Sequence, residues 1–418
     1  MRSFIPPSFN LPLAWSVDFS FPWLLKWVFN IQDVIISHED QVMIRSLRRE
    51  RMIYLSNHPS TSEPPVAYHV ANVMGSRFKF MAARGVFEWG AGAVGRVIQG
   101  LGAYSVVAGA PDRESLKASR AILASPAGKL VLYPEGEPTS GENDNLLPFQ
   151  PGIAQLGFWA MDDIRKEDPE ANITVLPAFV KYVYIGTDAK IKSELFSSLR
   201  RIERRYRIDP GNKNLLRRFL TIGRIFLEDA ESRYKIPRAG SRDWEYRIGR
   251  VRHAILDGVA ERLAVPGYDG KADAITKLRY LLAMLELIEL KMDVRDIPDA
   301  SEADLKWAHR ECQRAYDVIV MKPDYLVTYP SAERFFEYLA RYETYTFGST
   351  NARPRNAHVF FARPFQLSEF YTTDKSQKKA ALEACVARMR KEIELLRDEA
   401  QKLTRPIVRP YDVGDEGL

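Results

Sequence analysis

Between about Asp33 and Tyr184 the chain alternates short apolar runs with stretches of helical period. Val34-Ile35-Ile36, Met52–Leu55, Phe78–Met81, Leu130–Tyr133 and Val175–Val180 read as strands. Pro64–Val73, Gly90–Gly100, Arg113–Leu123 and Ile153–Met161 read as helices. Alternation of this kind predicts an α/β domain. After Tyr184 the period becomes helical throughout, to about Tyr345, and Ser301 with Asp304 forms a capping pattern. Arg355–Leu367 turns strand-like again, so the helical block reads as an insertion from which the chain returns to the first domain. A last helix covers roughly Asp374 to Leu403. Its Leu382, Val386, Met389, Ile393, Leu396, Ala400 and Leu403 recur by four and three, a spacing that permits a coiled coil and hence a homo-oligomer, or docking on the same chain. The tail after Arg405 reads as mobile. The expected organisation is an N-terminal segment 1–32, an α/β domain 33–190, a helical insertion 191–350, a return strand 351–370 and a C-terminal helix and tail 371–418.

The N-terminal run Phe9–Ile31 is the nearest approach to a membrane span, but Pro12 and Pro22 interrupt it and Asp18 and Lys26 charge it. A signal peptide is not expected. Its Trp15, Phe19, Phe21, Trp23, Trp27 and Phe29 suit a discontinuous segment at a membrane–water interface, and equally a cap over the core. The 418 residues carry 60 Lys+Arg against 54 Asp+Glu, a net charge of +6. That mild excess favours an anionic membrane surface and is too small to point to nucleic acid. Arg200, Arg201, Arg204, Arg205, Arg207, Arg217, Arg218 and Arg224 cluster in the helical block, either against anionic lipid or as a solvated face. Cys312 and Cys385 have neither metal nor disulfide spacing, which favours a reducing compartment. No metal site is expected.

The chemistry centres on LSNHPSTSEPP, Leu55–Pro65, at the end of a predicted strand. Pro59, Ser60, Thr61 and Ser62 favour a turn that folds Glu63 back onto His58. A carboxylate holding one ring nitrogen leaves the other free as a general base. With no G-x-S-x-G present, that base is expected to act on a substrate hydroxyl.

Three further stretches follow in order: Gly100–Leu116 (GLGAYSVVAGAPDRESL), Leu130–Phe158 with its Pro-Glu-Gly, and Ile173–Tyr182 (ITVLPAFVKY). With the His58 stretch they resemble the four blocks of the PlsC-type glycerolipid acyltransferases, the lysophospholipid or 1-acylglycerol-3-phosphate O-acyltransferase family. The resemblance covers about Asp33–Tyr184 and Arg355–Leu367. It implies a mixed sheet with flanking helices, here carrying a large α-helical insertion. It implies transfer of an acyl group from acyl-CoA or acyl-carrier protein, as co-substrate, to a lysolipid acceptor, with no bound cofactor, at the cytoplasmic face of a membrane.

Residue by residue, His58 matches the family's catalytic histidine and Glu63 its orienting aspartate. Asn57 belongs to the same block and is expected to bind substrate. Glu135 and Gly136 match the Glu-Gly of the third block, to shape the pocket or bind the acceptor, and Pro177 matches the fourth block along the acyl path. Two family arginines that grip phosphate are absent, because their positions are Ala108 and Pro138, with Glu137 beside the latter. Arg84 and Arg113 either restore part of that grip or are solvated charges. The departures leave two alternatives open: a non-phosphate acceptor such as an amino-acid lysolipid or glycolipid, and a catalytically weak lipid-binding relative.

Overall fold

The computed structural model describes residues 4–107, 112–136, 144–237, 243–291, 297–320 and 322–413. The chain opens on α1 (Leu11–Trp27) and β1 (Ile31–Ile35), then α2 (His38–Ser46), β2 (Met52–Ser56), α3 (Glu63–Met74) and β3 (Lys79–Ala83). Next come α4 (Ala93–Gly100), β4 (Ala103–Val106), α5 (Arg113–Ala124), β5 (Lys129–Leu132), α6 (Gly152–Ile164) and β6 (Thr174–Tyr184). The helical block holds α7 (Asp188–Tyr206), α8 (Leu215–Arg233), α9 (Trp244–Arg262), α10 (Ala274–Glu289), α11 (Glu302–Val320), α12 (Pro323–Thr328) and α13 (Ala332–Phe347). The chain returns through β7 (Arg355–Phe361) and β8 (Phe365–Gln366) and ends on α14 (Lys378–Ala400).

The strands form one mixed sheet in the order β1-β7-β6-β2-β5-β3-β4, with β8 paired to β6. β6, β2, β5, β3 and β4 run parallel, and β7 joins β6 antiparallel. This is an α/β fold with a helical insertion. Alternation along the strands divides the core in two. Ile53 and Leu55 point to a layer built from α5, α6 and α14, while Met52 and Tyr54 point to one built from α1, α2 and α3. The helical block buries two further cores of its own, one around α9, α10 and α11 and one around α7, α8 and α13.

Several expectations change. The N-terminal segment is one continuous helix, not a broken one: Pro12 sits in its first turn, where no intrahelical N–H is needed, and the helix runs on through Pro22. Among the described residues no helix is long and apolar enough to cross a membrane. The tail does not hang free as far as Val413. Pro406 bridges Ser331, Ile407 donates to the Pro330 carbonyl and is buried, and Tyr411 donates to Val327. The seam of α14 is spent inside its own domain, since Cys385, Met389, Ile393, Leu396 and Ala400 are buried against β6 and α6. Two of the clustered arginines are also internal: Arg217 is buried, and buried Arg218 grips Glu203 with two nitrogens at 2.7 and 2.5 Å.

Because Ile393 is fully buried between α14 and the sheet, Ile393→Ala leaves a cavity and is expected to cost about 2–5 kcal/mol of stability. Thermal denaturation with transfer activity unchanged at low temperature checks this. An unshifted melting curve would show that α14 contributes nothing to the domain.

Candidate active site

β2 ends at Ser56, and the chain leaves the carboxyl edge of the parallel strands, where open α/β sheets place their sites. Asn57 locks that exit. Its Oδ1 accepts from Val180 N at 2.8 Å and its Nδ2 donates to the Val180 carbonyl at 3.1 Å, so the side chain continues the β2–β6 ladder. The next residue, His58, is thereby fixed in direction. The turn through Ser60 then delivers Glu63 as the first residue of α3, as the sequence predicted. His58 Nδ1 lies 2.9 Å from Glu63 Oε2. A carboxylate only accepts, so the ring carries its proton on Nδ1 and presents Nε2 as an acceptor.

Glu63 is 1% exposed. Its oxygens also accept from Ser60 N at 2.8 Å, Ser60 Oγ at 2.9 Å and the Tyr182 hydroxyl at 2.5 Å. Arg355, returning on β7, lays its guanidinium 3.9 Å from the Tyr182 ring centroid and donates to Ser62 Oγ at 2.9 Å. Tyr133 stacks on the His58 ring at 4.2 Å between centroids and 19° between planes. The Tyr133 hydroxyl is buried without a hydrogen-bond partner among the described residues, and burial raises its pKa well above the usual tyrosine value.

Glu135 is the second carboxylate of the site. Oε1 accepts the His58 backbone N–H at 3.0 Å and Oε2 accepts that of Leu147 at 2.7 Å. Arg279, from α10, donates to its carbonyl at 2.6 Å and to that of Pro148 at 3.0 Å. Gly136 follows at φ +82°, a backbone conformation that favours glycine, with the mobile end of the Gln150 side chain beside it. Pro177 lies within β6 opposite Leu55. Its carbonyl accepts from Ala362 N at 3.0 Å. Its missing N–H therefore falls on the side where the ladder already breaks between β7 and β8.

Of the expected site residues, the structure thus brings His58, Glu63, Asn57, Glu135 and Gly136 together. Asn57 and Glu135 were expected to touch substrate; in the structure their side chains hydrogen-bond to backbone groups that anchor the β2 exit and the 144–147 strap. Arg84 is buried just after β3, at the same sheet edge; it pairs with Glu88 at 3.1 Å, and its Nε has no hydrogen-bond partner among the described residues. Arg113 is exposed at the start of α5 and lines an outer groove of ≈ 480 Å³ with Lys117, Arg120 and Trp159. Among the described residues it shares no hydrogen bond or ion pair with the His58 cluster. Ala108, Gly109, Glu137 and Pro138 lie outside the described residues. Sequence reasoning missed Ser60, Tyr133, Tyr182, Arg279 and Arg355 as site residues. For Tyr133 and Tyr182 the only available signal was a tyrosine near the carboxyl end of an apolar strand.

The site is a carboxylate-bound histidine at the carboxyl edge of an α/β sheet. The comparisons narrow it: residues 36–181 match the family model described as Acyltransferase, and these residues are an acyltransferase domain of the glycerolipid, PlsC-type family. The protein is an acyltransferase. No curated protein matches the chain.

Burial pushes the Glu135 carboxyl from 4.5 up to about 7, against the pull of its two backbone donors. The folded state then holds a proton that the unfolded state has lost. Its stabilising effect is complete below about 4.5 and lost as pH rises through about 7. Melting temperatures across that window should therefore fall with pH in the wild type and lose this slope in Glu135→Gln. The amide also turns one oxygen into a donor facing a backbone N–H, so the variant is expected to be less stable by about 1–3 kcal/mol. An identical pH slope in both proteins would refute the assignment.

Proposed function

We propose that the protein is an O-acyltransferase that moves a fatty acyl group from acyl-CoA or acyl-carrier protein to a hydroxyl of a lysophospholipid-type acceptor. The observation that carries this reading is the 2.9 Å contact between His58 Nδ1 and Glu63, which leaves Nε2 as the open acceptor at the sheet edge. His58 Nε2 takes the acceptor's hydroxyl proton as that oxygen attacks the thioester carbonyl carbon. The tetrahedral intermediate collapses, the C–S bond breaks, and the proton on His58 passes to the leaving thiolate. Ester and thiol are the products. Glu63 orients the ring and stabilises its charged form.

The acceptor reaches this site from a membrane surface in this reading. Trp15, Phe19, Trp23 and Trp27 follow one another by four along α1 and are 61%, 78%, 54% and 74% exposed. The opposite face of α1 buries Ala14, Phe21 and Leu25. An unpartnered stripe of three tryptophans and a phenylalanine suits the lipid headgroup region. Trp89, Val94 and Val97, in and before α4, are exposed as well, and α1 is tied to α4 through Asn10 N and the Gly100 carbonyl at 2.8 Å. Arg200, Arg201, Arg204, Arg205 and Arg207 remain exposed to add an electrostatic component.

For the acceptor's head, the absence of arginine at positions 108 and 138 favours lysolipids whose phosphate is a diester, or that lack phosphate, over a doubly charged monoester. Arg84 is a buried cation at the sheet edge, and Arg113 is assigned no part.

His58→Ala is expected to lower transfer on the order of a hundredfold or more. Glu63→Gln should fall with it. Glu63→Asp should not rescue, since the shorter arm cannot hold His58, Ser60 and Tyr182 together. The same assay across a lysolipid panel should rank lysophosphatidic acid below diester lysolipids. Wild-type turnover in His58→Ala would end the mechanism, and a preference for lysophosphatidic acid over all others would end the acceptor assignment.

Membrane attachment is checked by vesicle sedimentation. Replacing Trp15, Phe19, Trp23 and Trp27 together by Ser should release the protein from anionic vesicles while its melting curve is kept. Added salt should weaken only the residual binding. Undiminished binding by that variant would refute the interfacial role of α1.

A further inference from the structure

A cavity of ≈ 760 Å³ lies inside the helical insertion, walled by α8, α9, α11, α12 and α13. Its size is that of a site for a small organic ligand. One wall is hydrocarbon, with Leu227, Val251, Ile255 and Val318 among its residues. The cationic wall includes Arg252, which forms no ion pair among the described residues and whose Nε is buried without a hydrogen-bond partner. Among the described residues four acids line it too, Asp243, Glu245, Asp317 and Asp324; Glu245 and Asp324 are exposed to solvent, and Asp243 caps α9 through the backbone N–H groups of Glu245 and Tyr246. Burial raises the Asp317 carboxyl, which favours its neutral form.

The cavity is joined to the catalytic edge by a short strap. Asn145 lines it. Two residues on, Leu147 N–H binds the same Glu135 carboxylate that holds the His58 backbone. On the other side Arg334 lines the cavity and reaches Asp144 Oδ2 at 3.3 Å, and Asp144 is also paired with buried Lys181, which follows the residue bound by Asn57. Arg334 in turn stacks on Tyr325 at 3.9 Å. An unpaired buried guanidinium nitrogen beside an apolar chamber is an incomplete arrangement, because both the desolvated cation and the empty hydrocarbon wall gain from a ligand that supplies an anion and a tail.

We propose that this cavity binds a long-chain amphiphile with an anionic head, its tail along Leu227, Val251 and Ile255 and its head at Arg252. The proposal rests on the acyltransferase reading for why such a molecule is at hand. Its ligand comes from one of two sources with this shared chemistry, the acyl-chain donor or the lysolipid acceptor.

Binding of cis-parinaric acid, a fluorescent long-chain fatty acid, to the full chain measures it directly, below micellar concentrations. Saturable binding is expected. Ala230→Trp places an indole in the chamber and should weaken it at least tenfold. Arg252→Gln, on a partly exposed wall position, should weaken the fatty acid about tenfold, equivalent to about 1.4 kcal/mol, and leave a neutral monoacylglycerol competitor unaffected. Displacement by palmitoyl-CoA or by lysophosphatidic acid identifies the source. His58→Ala should bind the probe as the wild type does, so failure of the chemistry and failure of the cavity are read separately. Absence of saturable binding, or equal affinity in the wild type and both variants, overturns the proposal. Arg252→Gln keeps the test open should Ala230→Trp not fold.

Discussion

One buried carboxylate holds the candidate site together. Glu63 sits where a bare charge would cost several kcal/mol. It is tolerable there because His58, Ser60 N–H, Ser60 Oγ and Tyr182 all donate to it. Those donors come from the turn after β2 and from β6, so they converge only when the two strands are in register, and Asn57 enforces that register. Arg355 then presses on Tyr182 from β7. The site is thus completed by a residue almost three hundred positions after His58, which explains why the chain must come back from its helical insertion to pair β7 with β6.

Replacement of the family's aspartate by glutamate follows the same geometry. With Glu63 at the first position of α3, the longer arm spans back to His58 on one oxygen and across to Tyr182 on the other. The extra methylene fills a distance set by the turn. A glutamate here is therefore a matched part of a different carboxylate cage, whose tyrosine has no place in the H-x4-E spacing itself.

How far the sequence carries depends on how local the cause is. The long parallel strands and their helices are legible because Met52–Leu55 and Val175–Val180 are unbroken apolar runs bounded by turns. β4 escaped notice: four residues, Ala103–Val106, embedded among glycines and alanines offer no period to read. α9 was legible only as part of the helical block, without bounds of its own. Pro22 misled, because a proline deep in an apolar helix signals a break that the packing of Phe21 and Leu25 on the sheet overrides. At the site, the His58–Glu63 contact is local and was readable from five residues. The partners of Asn57 and Glu135 are 123 and 77 positions distant, and nothing short of the tertiary structure assigns them.

The helical insertion is bound into this same network. Arg279 holds the Glu135 carbonyl while the Glu135 side chain holds His58 and Leu147. Arg334 and Lys181 share Asp144 across the junction. Buried ion pairs of this kind contribute little net stability, since desolvation offsets much of their attraction, but breaking one partner is costly. Their effect is to fix one arrangement of the insertion against the sheet. A shift of α10 or α13 cannot occur without loosening the strap 144–147, and that strap ends on the carboxylate that positions the histidine. The insertion and the edge that carries His58 are therefore tied through one connected set of contacts.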